Sequence, residues 1–204
     1  MSSEKPPGRA RLAAPERRAN LLDSACRVFS DGSYRGTTTA EIARAAGVTE
    51  PVLYRHFDSK RQLYLACLAE AWLRVRALWE RALEEEPDPA EWLSALGRAL
   101  RESEEHRVVI SNLWIQSIAE ASEDTVVRDY MRGHLREVHG YVADVIRRSQ
   151  AAGGIDPDRD AAAEAWIFIA IGLLNAIGGW LGGLLEDDLM EVVSSRRRWL
   201  IGRL

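Results

Sequence analysis

An all-α fold is the first expectation from the sequence, and three observations carry it. Apolar residues recur three and four apart through most of the 204 residues. Val/Ile/Thr alternation is scarce, and no Asn-Gly or Asp-Gly pair stands between strand-like runs. The clear breaks are Asp31-Gly32-Ser33, Glu84-Glu85-Glu86-Pro87-Asp88-Pro89 and Gly153-Gly154-Ile155-Asp156-Pro157, and they separate segments of helical length. The prediction is about nine helices, a three-helix N-terminal head followed by a larger helical body.

Each element has its own justification. Pro15 and Glu16 open a first helix, where an early proline costs little. Its apolar stripe is Leu21, Leu22, Ala25, Val28 and Phe29. Thr39 is the expected cap of a short second helix, with Ile42, Ala43 and Ala46 facing inward and Gly47 ending it. Thr49 is the expected cap of a third, which begins with Glu50-Pro51 and has Val52, Leu53 and Phe57 on its apolar side. A long helix is expected over 59–85, with Leu63, Cys67, Trp72, Val75 and Trp79 apolar. Further helices fit 90–103, 108–120, 124–151, 159–182 and 187–202.

Composition narrows the function classes. Apolar residues make up 47% and charged residues 28%, which excludes a wholly disordered chain, a collagen and a disulfide mini-protein. Cys26 and Cys67 are the two cysteines, read as small core residues in a reducing, cytoplasmic setting. Residues 1–14 lack the apolar core of an export signal and read as a disordered basic arm. Charge is unevenly spread. Residues 1–64 hold 11 basic against 7 acidic groups, so they carry +4 and the remainder −8 of the net −4. A basic third on an acidic body points to a polyanion partner for that third.

Two short helices joined by a tight glycine turn, after a longer supporting helix, describe a helix-turn-helix. Small Ala43 suits the crossing, and Ile42, Val48 and Leu53 suit the core between the pair. The third helix then offers Thr49, Pro51, Tyr54, Arg55 and His56 outward, with Lys60 just beyond. Hydroxyl, imidazole and cationic groups match phosphate oxygens and major-groove base edges.

The stretch TTTAEIARAAGVTEPVLYRHFDSK at residues 37–60 resembles the signature of the tetracycline-repressor (TetR) family, with its Leu53-Tyr54-Arg55-His56-Phe57 core and the following Ser59-Lys60. The resemblance covers about residues 15–65. It implies a homodimeric transcriptional regulator, a repressor of a near-palindromic double-stranded DNA operator, released by a small-molecule inducer. It also implies a DNA-binding head over 15–62 and a ligand-binding and dimerisation domain over 63–204. Carried over by residue, Thr38 and Thr39 touch phosphate, Thr49, Pro51, Tyr54 and His56 contact backbone or bases, and Lys60 reaches a phosphate. Arg44 and Arg55 add contacts. Glu50 is a poor phosphate partner, so it excludes a phosphate or accepts from a cytosine amine.

The body carries weaker signals. Trp72, Trp79, Trp92, Trp114, Trp166 and Phe168 stand as cavity candidates, although aromatics at helical spacing are more often plain core. Asn112, Gln116, His134 and Tyr141 are candidates for the polar groups of an inducer site. Residues 165–185 contain no charge, a length that also fits a bilayer. Asn175, five glycines and acidic flanks favour a buried interface over a membrane anchor. Trp166, Leu173, Ile177, Trp180, Leu184, Trp199 and Leu200 are the candidate anchors of that interface. Two alternatives remain open: a membrane-tethered DNA-binding protein using 165–185, and a small-molecule binding protein that keeps a helix-turn-helix head. No enzyme, metal or cofactor motif is found: His134 and His139 lie five apart, off a single helical face, and no phosphate loop, G-x-S-x-G or H-E-x-x-H occurs.

Overall fold

The computed structural model describes residues 14–202, with side chains at 16–103 and 108–202. The proposed basic arm, with Arg9 and Arg11, lies outside the described residues. Nine α-helices and no strand are present among those described: α1 Ala14–Asp31, α2 Thr39–Ala45, α3 Glu50–Tyr54, α4 Lys60–Glu85, α5 Trp92–Glu102, α6 Glu104–Ala121, α7 Thr125–Ala151, α8 Ala161–Trp180 and α9 Leu189–Leu200. A 3₁₀ turn, Pro89–Glu91, precedes α5. The chain divides into two compact units, Met1–Cys67 and Leu68–Leu204.

In the first unit α1 buries Leu21, Leu22, Ala25, Cys26 and Phe29, and α2 and α3 bury Ile42, Ala43 and Leu53. The caps explain why two such short helices form. Thr38, rather than the expected Thr39, caps α2. Its backbone is extended, its hydroxyl accepts from Glu41 N–H, and its own N–H donates to Glu41 Oε2 at 2.8 Å. The deciding signal is the glutamate three residues on, which completes a reciprocal cap for Thr38. Gly47 has φ of 68° and ends α2. Its N–H donates to Arg44 O while that of Val48 donates to Ala43 O, so the last carbonyls are satisfied in a left-handed glycine cap. Thr49 is extended before α3, but its side chain makes no capping hydrogen bond. Phe29, Tyr34 and Tyr64 form an aromatic cluster, with Phe29 and Tyr64 edge to face at 5.0 Å.

In the second unit α7 packs against α6 and α8, and α5 packs against α6 and α7. The core stripe of α7 runs Val127, Met131, His134, Val138, Val142, Val145, Ile146 and Ser149, at helical spacing. Asp124 and Asp160 accept from the first free N–H groups of α7 and α8. Asp160 therefore caps α8, which starts at Ala161, two residues inside the start expected from the sequence. Conversely α6 begins at Glu104 rather than 108, because no glycine or proline interrupts residues 104–107. α8 is long and apolar enough to cross a bilayer by length and composition, yet only 17% of its most apolar window is buried.

Candidate nucleic-acid interface and C-terminal cavity

The turn at Gly47 sets α3 across α2 with Leu53 inward, and this leaves Thr49, Pro51 and Tyr54 exposed on the other side. Arg55 is also exposed and His56 half-buried, and both lie in the turn after α3 rather than on the helix. Thr38, the cap of α2, and Arg44 on the helix are both exposed. Thr39 is buried, and its hydroxyl donates to Glu50 Oε1 at 2.5 Å. With that single proton committed, Thr39 Oγ1 accepts from the Tyr54 hydroxyl at 3.2 Å. Glu50 and Tyr54 thus tie α3 to α2, which fixes the exposed Tyr54 ring. The sequence reading of Glu50 as a group facing nucleic acid missed this inward partner.

Lys60 opens α4, with its ammonium 4.7 Å from the centre of the Tyr34 ring and 3.4 Å from Arg35 O. The Glu41 carboxyl is held below its ordinary range by the Thr38 backbone N–H and hydroxyl, so it stays an anion that completes the cap.

A cavity of about 190 Å³ opens among α4 to α9 of the second unit. Trp79, Trp114, His134 and Phe168 line it, as does Trp72. The other sequence candidates stand elsewhere. Trp92 Nε1 donates to Glu86 O, and its ring lies under Arg148. Asn112 accepts from Trp180 Nε1 at 2.6 Å. Tyr141 stacks on Trp79 behind the lining, and Gln116 is off the cavity. Burial raises the Tyr141 phenol above its ordinary value and takes that of Tyr130 up to about 12.

His134 is the polar centre of the lining. Trp114 Nε1 donates to His134 Nε2 at 3.0 Å, which makes that nitrogen an acceptor and the imidazole neutral. Burial pushes its pKa below the usual histidine value in agreement with that tautomer. Sequence reasoning missed the charged lining residues Arg101, Glu164, Arg196 and Arg197. In the sequence these read as the solvated faces of amphipathic helices.

Of the seven interface candidates, Trp166, Ile177, Trp180 and Leu184 are exposed, with Trp180 54% exposed. Leu200 is buried in its own protomer and lines the cavity, as does Leu173. Trp199 is half-buried beneath the Arg159 guanidinium, 3.7 Å from ring centre to carbon. These three side chains are held within the protomer by its own packing. Among the described residues no group of three or more His, Cys, Asp or Glu is placed to hold a metal ion.

The chain matches the family described as bacterial regulatory proteins, tetR family, over residues 21–67, and the BetI-type transcriptional repressor C-terminal family over 89–191. The second match spans half of the chain and takes in α5 to α8. The chain belongs to the TetR family. The transcriptional repressor KstR2 of Mycolicibacterium smegmatis is 32% identical over 149 residues, 71% of this chain and 70% of that protein. The transcriptional activator FasR of the same species is 53% identical over 58 residues, but this covers only 28% of this chain and 26% of that protein. A crystal structure of a TetR-family transcriptional regulator from Cytophaga hutchinsonii superposes with a TM-score of 0.81 at 17% identity, covering 93% of this chain and 98% of that one. Such a likeness shows the fold, with its helix-turn-helix head and helical C-terminal domain. The TetR family is one of transcriptional regulators that bind DNA.

Proposed function

We propose that this TetR-family regulator is a repressor that binds a near-palindromic operator as a homodimer and is released by a small molecule held in the C-terminal cavity. The observation that carries the reading is the exposed face of α3, fixed to α2 through Thr39, Glu50 and Tyr54. The KstR2 likeness, which spans most of both chains, supports repression; the FasR likeness is confined to the head. In this reading the head is 15–62 and the body 63–204, in a cytoplasmic protein. Thr38, Arg44, Thr49, Pro51, Tyr54, Arg55, His56 and Lys60 meet DNA, and Thr39 acts by holding Tyr54. Two recognition helices would enter major grooves about 34–36 Å apart. Lys60 is the first residue of α4, and Trp72 and Trp79 further along the same helix line the cavity. A ligand shifts the equilibrium by its differential affinity for the operator-fitting and misfitting states.

The test is selection of genomic fragments by the purified protein, followed by titration of the best one at two salt concentrations. A short palindrome whose preference survives higher salt is expected. Lys60→Ala should weaken all sequences alike and lower the salt slope by about 1, and Tyr54→Ala should cost about 1–3 kcal/mol on the operator alone. Wild-type affinity in both variants would sink the reading.

A further inference from the structure

The cavity is walled mainly by apolar and aromatic side chains, yet three arginines reach its lining: Arg101, Arg196 and Arg197. Two of them are neutralised, Arg196 by Glu164 and Arg197 by Glu91. Arg101 has no carboxylate hydrogen-bonded to it among the described residues. Arg98, one turn earlier, engages Glu86 at 2.9 Å and adds like charge, while Glu102 acts on Arg101 only through space. Burial and Arg98 together push the Arg101 guanidinium below its ordinary value, the mark of a cation in poor surroundings.

Gly97 shows that this placement is built into α5. Glycine inside a helix costs about 1 kcal/mol relative to alanine, and at Gly97 the space left by the missing side chain is taken up by a neighbour. Arg101 Nη1 lies 3.1 Å from the point a Cβ on Gly97 would occupy. The guanidinium therefore folds back one turn over Gly97, itself a lining residue, and the missing methyl gives it room. The buried Nε atoms of Arg196 and Arg197 also have no acceptor, so the lining offers more donors than it satisfies.

We infer that the cavity ligand is an amphiphilic monocarboxylate, its carboxylate held by Arg101 and its apolar body laid among Trp72, Trp79, Trp114 and Phe168. The planar guanidinium fork matches a carboxylate with two parallel hydrogen bonds. The indole N–H groups of Trp72, Trp79 and Trp114 are already used by Glu137, Leu96 O and His134, so these rings present hydrocarbon to a ligand. A quaternary ammonium would suit the ring faces but meets the positive charge of Arg101. The inference rests on the reading of this cavity as the inducer site.

Tryptophan fluorescence of the full-length protein, titrated with decanoate, decanol and decyltrimethylammonium, tests it. Decanoate should bind about tenfold or more tighter than decanol, as a charge-assisted pair requires. Arg101→Gln should abolish that preference, with unchanged helical circular dichroism showing that the variant is folded. Gly97→Ala, which displaces the guanidinium without removing it, should weaken decanoate alone. Equal binding of decanoate and decanol, tighter binding of the ammonium, or an unaltered preference in Arg101→Gln would each overturn the carboxylate while leaving the cavity as a ligand site. Binding of none of the three would overturn the inducer-site reading and the inference with it.

Discussion

At the scale of single residues, His134 gives the clearest link between burial and behaviour. Its Nε2 accepts from Trp114, so protonation would set two donors against each other in an apolar site. The folded-state pKa lies below the ordinary 6.5, so the unfolded chain binds a proton more readily. Stability from this group is therefore fully present above 6.5 and is lost as pH falls through the folded value. The thermal midpoint of the wild type should drop between about pH 8 and about pH 5.5, and His134→Gln should drop less, because it keeps an acceptor but cannot take the proton. Equal drops would remove His134 as the source. His134 stood in the sequence only as one of four polar candidates with Asn112, Gln116 and Tyr141, and the fold alone puts it, and not the other three, on the cavity. Arg101 was not legible as a cavity residue, because an arginine on an amphipathic helix is ordinarily solvated, and only the fold shows which way it turns. For Thr39, too, the sequence gives a hydroxyl at a helix start but not the Glu50 that claims it.

At the scale of helices, termini and stripes were readable and exact starts were not. Thr38 and Thr39 are equally good caps in isolation, and the choice between them falls to Glu41. Two glycines, Gly140 within α7 and Gly154 just beyond it, are not told apart by local sequence, but their surroundings differ sharply. A Cβ at Gly140, exposed in mid-helix, would meet nothing within 4 Å. At Gly154, just past the α7 end, it would stand 2.4 Å from the backbone carbon of Pro89. Ser149 clamps the same junction by donating to Pro89 O at 2.6 Å. Gly140→Ala should therefore raise stability by about 0.5–1 kcal/mol through helix propensity. Gly154→Ala should lower it by about 1–3 kcal/mol, since a backbone neighbour cannot turn aside as a side chain can. Urea unfolding of the two variants checks both signs. A shift of the same sign in both would show that the 3₁₀ turn yields to the added methyl.

At the scale of the whole molecule, the charge asymmetry and the uncharged stretch 165–185 were both visible in the sequence, but only the structure shows what α8 leaves uncovered. Trp166, Leu174, Ile177, Trp180, Leu181 and Leu184 are all exposed, at spacings that keep most of them on one side of a helix and its C-terminal turn. A contiguous apolar face of this kind on a single protomer marks a surface that another body covers. A second copy fits the dimeric reading, since the same patch can meet itself across a two-fold axis. Ile177→Glu combined with Leu184→Glu places like charges at that contact without touching the cavity-lining Leu173 or Leu200. Sedimentation should then show a dimer for the wild type and a monomer for the double variant, with unchanged helical circular dichroism. Operator affinity should fall with it, because one head alone loses the effective concentration that the second gains from the first. A double variant that stays dimeric with full operator affinity would move the interface off α8, and a wild type recovered only with detergent would hand this face to a membrane instead.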